Sequence, residues 1–357
     1  MTQEMPAGTV PVLPAHQFDE AKLFDYLADR IDGFDGPMVV RQFEGGQSNP
    51  TYMLVTPKQN YVLRRKPPGK LLPSAHAVDR EFRVISALNQ TDFPVPKAHV
   101  LCEDDSITGT MFFVMNHVEG RVFWDGIMEE LSKEERAKAF DSMNETLAKL
   151  HGIDHVAIGL EDFGRPGNYF ARQISRWSKQ YVASETEKIP EMDRLIDWLP
   201  ANVPEDETTC LIHGDYAMHN IMFHPTEPRV VAVLDWELST TGHPLGDLTY
   251  NTQAWYLPRI ENETRPNYTT VDLDALGIPS FDSYIARYCE RVGRPPVDNV
   301  AFYKAYNLFR SAAIAQGIIG RVRDGTANNP KALELQGRIR PLAVEAWAQA
   351  QIAGAIE

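Results

Sequence analysis

The chain has 357 residues, of which 43% are hydrophobic, 10% aromatic and 24% charged; this composition buries a core and excludes a disordered tail, a collagen-like fibre and a small disulfide scaffold. Its length fits two domains or one large bilobal one. A net charge of −14 speaks against a protein that coats nucleic-acid phosphates, and the widely spaced Cys102, Cys210 and Cys289 fit a reducing compartment rather than a zinc ribbon.

The opening segment lacks a basic stretch and its apolar residues are interrupted by prolines, so no signal peptide is expected. The apolar runs 111–115 and 230–234 are only strand length, so no membrane span is expected and the expected location is cytoplasmic. Residues 19–31 carry Leu23, Tyr26, Leu27 and Ile31 at helical spacing. Three short strands are predicted at 38–44, 51–56 and 61–65, separated by GGQSNP and PKQN turns. Residues 77–88 predict an amphipathic helix with Val78, Phe82, Ile85 and Leu88 on one stripe. At 100° per residue Glu81 falls on that stripe, while Asp79, Arg80 and Arg83 point away. A carboxylate facing a core needs a partner. Strands at 98–103 and 111–118 close this β-rich unit.

Beyond it the chain reads as largely helical. Ser132 and Glu135 form a capping box for a helix carrying Phe140, Met143, Leu147 and Leu150 and ending at Gly152. Further helices are expected at 281–291, 298–323 and 330–354, with 160–200 read as a loop and two strands flanking polar loops within 210–236. Residues 36–102 carry a net charge of +5 and residues 118–357 one of −11, which suggests surfaces with different partners or a chance segregation of solvated charge.

The chemistry concentrates at 213–220, which read HGDYAMHN, and 234–237, which read LDWE. Asp215 and Asn220 have the D-x-x-x-x-N spacing of a phosphoryl-transfer loop, and Asp235 ends an apolar strand. One carboxylate must point the attacking hydroxyl at the γ-phosphorus; a second carboxylate and an amide oxygen suit Mg²⁺, a hard cation that takes oxygen ligands. No G-x-x-x-x-G-K-[ST] sequence occurs, which excludes a P-loop NTPase.

HGDYAMHN, LDWE and GHPLGDL, in that order, resemble the aminoglycoside phosphotransferase family, a branch of the protein-kinase-like fold, with motifs running over roughly residues 36–325. The resemblance implies an α+β, bilobal protein-kinase-like fold: a small β-rich N-lobe with a leading helix (1–117) and a larger, mainly helical C-lobe (118–357), with ATP bound in the cleft. It implies an ATP- and Mg²⁺-dependent phosphotransferase in which Asp215 is catalytic and Asn220 and Asp235 hold the metal. Arg64 stands where kinases carry the phosphate-gripping lysine, with Lys66 a rival on the same strand face. Glu81 becomes the ion-pair partner of Arg64. Ser48 and Asn49 sit where a loop covers the nucleotide, although a tight hairpin turn explains the same residues. Asp247 is expected to brace the catalytic loop, and His213 to be a buried, hydrogen-bonded histidine.

The run 62–88 is most similar to the kinase-like domains fused to animal acyl-CoA dehydrogenases. This implies a hydroxyacyl or other metabolic hydroxyl acceptor rather than an antibiotic, with Arg65, Lys66 and Lys70 available to an anionic ligand. The expected partner is a small-molecule hydroxyl substrate, with no nucleic acid and no membrane; nothing in the sequence signals an oligomeric state. Two other readings use the same residues: a metal-dependent hydrolase built on His213, Asp215, His219 and Asp235, and a non-catalytic nucleotide-binding module.

Overall fold

The computed structural model describes residues 8–44, 49–68, 77–260, 267–324 and 335–356. The chain forms two compact units, one of residues 1–121, 158–160 and 231–239 and one of the remainder. The sequence reading cuts the chain once, at 117–118; in the structure two later segments rejoin the first unit, and one of them carries Asp235.

The first unit is built on a six-stranded sheet. Its strands are β1 (Thr9–Val10), β2 (Val39–Phe43), β3 (Thr51–Val55), β4 (Asn60–Arg65), β5 (Ala98–Cys102) and β6 (Phe112–Asn116). They lie in the order β1-β2-β3-β4-β6-β5, each neighbouring pair antiparallel. Helix α1 (Glu20–Ala28), capped by the Asp19 side chain on the Lys22 N–H, packs Leu23 and Leu27 into a core with Tyr52, Leu54, Tyr61, Leu63, Phe112 and Val114. Strand alternation therefore sends Val62 and Arg64 to the other face, where α2 (Val78–Leu88) lies and Phe82 meets Phe113 at 6.0 Å. The one-turn helix α3 (Asp105–Thr108) precedes β6.

In the second unit, α4 (Lys133–His151) opens with the expected capping box, in which the Ser132 hydroxyl accepts from the Glu135 N–H and the Glu135 carboxylate from the Ser132 N–H. The stretch read as a loop holds two helices, α5 (Tyr169–Ser184) and α6 (Pro190–Ala201). Phe170, Ile174, Trp177 and Tyr181 line the buried side of α5, a helical spacing present in the sequence. Strands β7 (Cys210–Ile212), β8 (Ile221–Phe223), β9 (Val230–Val233) and β10 (Thr240–Gly242) follow, with β7 paired antiparallel to β10. The helices α7 (Pro244–Asn251), α8 (Leu273–Leu276), α9 (Phe281–Val292), α10 (Val300–Arg323) and α11 (Gln336–Ile352) complete the fold. Helix α10 buries side chains around its whole circumference, as a central core helix does. No helix among the described residues is long and apolar enough to cross a membrane.

Candidate active site

In the first unit the site is assembled around one guanidinium. β4 presents Arg64 to the α2 face, and its Nε lies 2.8 Å from Glu81 Oε2, the ion pair that the family resemblance implied for a carboxylate on the buried stripe. Arg64 Nη2 also contacts Asp235 Oδ1 and lies 3.8 Å from Glu237 Oε2. One positive charge thus serves three carboxylates. Glu81 is 1% exposed. Burial pushes its carboxyl up to about 7; Arg64 opposes the shift, and the negative charges of Asp235 and Glu237 add to it. Burial works against the Arg64 charge, but the three carboxylates outweigh it and hold that guanidinium above its usual pKa.

Asp235 follows β9 in the left-handed region, at φ 66°, and starts a 3₁₀ turn over Trp236–Leu238. Trp236 anchors that turn: its ring packs edge-on against Phe93 at 5.8 Å and its indole N–H donates to Val233 O at 2.9 Å. The Asp235 side chain stays one-third exposed (33%), open to a ligand, unlike Glu81. Asn49 is buried, and its amide donates to Glu237 Oε2 at 3.0 Å. Glu237 is a member of this cluster that motif reading left without a role, although it stood in the LDWE run. Ser48 and Lys70 lie outside the described residues.

Lys66 follows the last residue of β4, its N–H donating to Met111 O at 2.9 Å, and its side chain enters no ion pair among the described residues. Arg65 points to the α1 side, where it donates to Thr108 O at 2.7 Å and covers the Phe18 and Tyr52 rings. It is part of the core there.

In the second unit, β7 leads into the segment 213–220. His213 is fully buried, and its Nδ1 accepts from the Asp215 N–H at 3.2 Å. Asp247 accepts the His213 N–H at 2.6 Å and the Gly214 N–H at 2.8 Å, the bracing expected of it. Burial pushes the Asp247 carboxyl up, but His151, His213 and these hydrogen bonds prevail and hold it below its ordinary range. Gly214 takes φ 82°, a conformation that strains any residue with a Cβ. Asn220 is buried; its side-chain NH₂ donates to Asp215 O at 2.9 Å and to Asp215 Oδ2 at 3.1 Å. His219 is turned outward and stacks on the Trp124 ring, 6.0 Å away at 19°.

Beside this segment the second unit holds a cavity of about 430 Å³. Phe123, Trp124, Phe140, Trp255 and Tyr268 line it together with Met218 of the loop. Asp125 is the only carboxylate on the described lining, and its oxygens already accept the N–H groups of Ile127, Met128 and Glu129. Among the described residues no group of three or more His, Cys, Asp or Glu side chains could hold a metal ion, and His213 and His219 face different surroundings. That arrangement does not suit the metal-dependent hydrolase reading. Each unit offers an oxygen donor of the type Mg²⁺ takes, Asp235 in the first and Asn220 in the second.

Residues 39–282 match the model of the phosphotransferase enzyme family, and the chain belongs to that family. A structure of a candidate aminoglycoside phosphotransferase from Ralstonia eutropha JMP134 superposes with a TM-score of 0.86 at 48% identity, covering 94% of this chain and 99% of that one. The fold is therefore the kinase-like fold of the aminoglycoside phosphotransferases, with the β-sheet N-terminal and the helices mainly C-terminal. Spectinomycin phosphotransferase, solved with ADP and spectinomycin, shares the fold at a TM-score of 0.60 and 12% identity, covering 93% and 98% of the two chains. Acyl-CoA dehydrogenase family member 11 of Rattus norvegicus is 44% identical over 351 residues, covering 96% of this chain but 44% of that protein. The chain thus spans less than half the length of this curated relative.

Proposed function

We propose that this phosphotransferase moves the γ-phosphoryl group of ATP to the hydroxyl of a small molecule. Asp215 accepts the hydroxyl proton as the new O–P bond forms and the bond from the γ-phosphorus to the β-phosphate oxygen breaks, releasing ADP. Arg64, held by Glu81, grips phosphate oxygens. Asn220 and Asp235 are the residues that would hold Mg²⁺, which would supply positive charge to neutralise the charge that develops on the phosphates. The observation that carries the reading is the contact between Asn220 and Asp215. It commits the NH₂ of the amide to the carboxylate, leaves the amide oxygen for a hard cation and orients the proton acceptor.

The acceptor reading is a hydroxyacyl compound or another metabolic alcohol with an apolar skeleton. Its support is the aromatic lining of the cavity beside Met218, which among the described residues carries a single, already engaged carboxylate where a polycationic antibiotic would want several. The names of the acyl-CoA dehydrogenase relatives agree with acyl chemistry. The test is ADP release by purified protein with Mg·ATP against hydroxyacyl compounds of graded chain length and against aminoglycosides, each run with Asp215→Asn alongside. Turnover with hydroxyacyl compounds that Asp215→Asn abolishes is expected; turnover with aminoglycosides alone would overturn the acceptor class, and full turnover by Asp215→Asn would overturn the role of that residue.

A further inference from the structure

We propose that Arg310 and Tyr250 form an inner positioning pair that fixes Asp215 from behind the catalytic loop. The inference rests on the reading of Asp215 as proton acceptor and adds two residues that no motif singles out.

Arg310 lies within α10 and is 5% exposed. A guanidinium so deep in a helical core ordinarily requires a carboxylate partner. Arg310 forms no ion pair among the described residues. Its Nη2 donates instead to Gly214 O at 2.7 Å, and its guanidinium carbon lies 4.7 Å from the centroid of the Tyr250 ring and 5.8 Å from that of Trp177. Burial works against its charge, but the surrounding tyrosines Tyr306, Tyr250 and Tyr169, and after them the Asp215 carboxylate, favour it.

The residue before Asp215 is therefore clamped on both sides. Asp247 takes the N–H of Gly214 and Arg310 donates to its carbonyl, so the peptide that launches Asp215 cannot rotate without breaking a buried charge-assisted hydrogen bond. Tyr250, at the end of α7, is held to this clamp through its ring on the Arg310 guanidinium; burial, and then the Asp215 charge, raise its phenol, so it stays neutral. Its ring lies against the Arg310 guanidinium and also lines the aromatic cavity. The pair thus links the cavity wall, the loop backbone and the proton acceptor. Its chemistry is orientation: an Asp215 carboxylate displaced by about 1 Å loses on the order of a hundredfold in rate.

The experiment uses the full chain with Tyr250→Phe, Arg310→Lys and Asp215→Asn. ADP release from Mg·ATP is measured with water as acceptor, together with amide hydrogen exchange over 213–220 and the urea midpoint. Tyr250→Phe keeps the ring over Arg310 and should lower kcat about 10-fold to 100-fold with KM for ATP unchanged. Arg310→Lys keeps the charge and loses the planar fork; exchange at 213–220 should quicken while the midpoint holds. Tyr250→Phe added to Asp215→Asn should cost nothing further. Unchanged kcat in Tyr250→Phe, or unchanged exchange over 213–220 in Arg310→Lys, overturns the positioning pair even where Asp215→Asn is inactive. Should Asp215→Asn itself retain full turnover, the reading of Asp215 fails instead, and the pair loses its purpose with it.

Discussion

Arg64 is one charge shared by three carboxylates, so removing the two ends of its pair with Glu81 has unequal consequences. Glu81→Gln leaves Arg64 with Asp235 and Glu237, and the expected loss is that of one charge-assisted hydrogen bond, about 1–3 kcal/mol. The loss is largest at acid pH and shrinks as pH rises toward 7, because the unsubstituted chain itself loses stability over that range as its raised Glu81 carboxyl titrates. Arg64→Met strands a carboxyl that is 1% exposed. That carboxyl already sits near 7 with the cation beside it, and Arg64 is what opposes the upward push of burial. Without Arg64 it climbs further and keeps its proton in the folded chain, whereas the unfolded chain has lost that proton above about 4.3. The folded state then binds more protons than the unfolded state, so stability falls as pH rises, by about 1.4 kcal/mol per unit up to the new pKa. Urea midpoints at pH 7 and pH 8 read this directly. Relative to the unsubstituted chain, Arg64→Met should lose about 1 kcal/mol over that unit, and the double variant with Glu81→Gln should be flat and more stable than Arg64→Met at pH 8. An Arg64→Met variant that tracks the unsubstituted chain, or a double variant no better than Arg64→Met, would show that Glu81 does not depend on this cation.

Asp235→Asn should raise the Mg²⁺ concentration needed for half-maximal ATP binding by about tenfold or more, read from fluorescent-nucleotide titrations at stepped Mg²⁺; an unchanged metal dependence would remove Asp235 from the ligand set. Asp247→Asn leaves one of the His213 and Gly214 N–H groups facing an NH₂, which should destabilise the chain by about 2–4 kcal/mol at pH 7. Because the Asp247 carboxyl is held below its ordinary value, its contribution is present above the usual carboxylate pKa and disappears as pH falls through the lowered one. The acid limb of the stability curve should therefore flatten in Asp247→Asn, and a variant with the original acid limb would contradict the bracing role.

Much of this arrangement was legible in the sequence wherever the information is local. Short strand-forming runs at 51–56 and 61–65 mark β3 and β4, and turn sequences end them. The capping box at Ser132 marks the start of α4. Helix α5 carries an equally periodic apolar stripe, yet it begins at Asn168, which has φ 50° and makes no side-chain cap, just after a Gly-Pro-rich stretch. The usual start signal is missing, and the segment passes for a loop.

The non-local part divides along a sharper line, which Glu81 and Arg310 illustrate. Both are charges set among apolar residues of a helix, and the same rule says that each needs a partner. For Glu81 the partner is another charge on a neighbouring strand, so residue type alone narrows the search and the family resemblance picks Arg64. For Arg310 the partners are a backbone carbonyl and the face of a ring. Every residue owns a carbonyl, so no spacing or residue type encodes that contact, although the lone arginine in the apolar run of α10 does flag that something must be there. A charged residue on a buried stripe is therefore a readable question in any such sequence. Only when its answer is a second charge can the sequence also supply it, which is why Glu81 could be assigned before the structure and Arg310 could not.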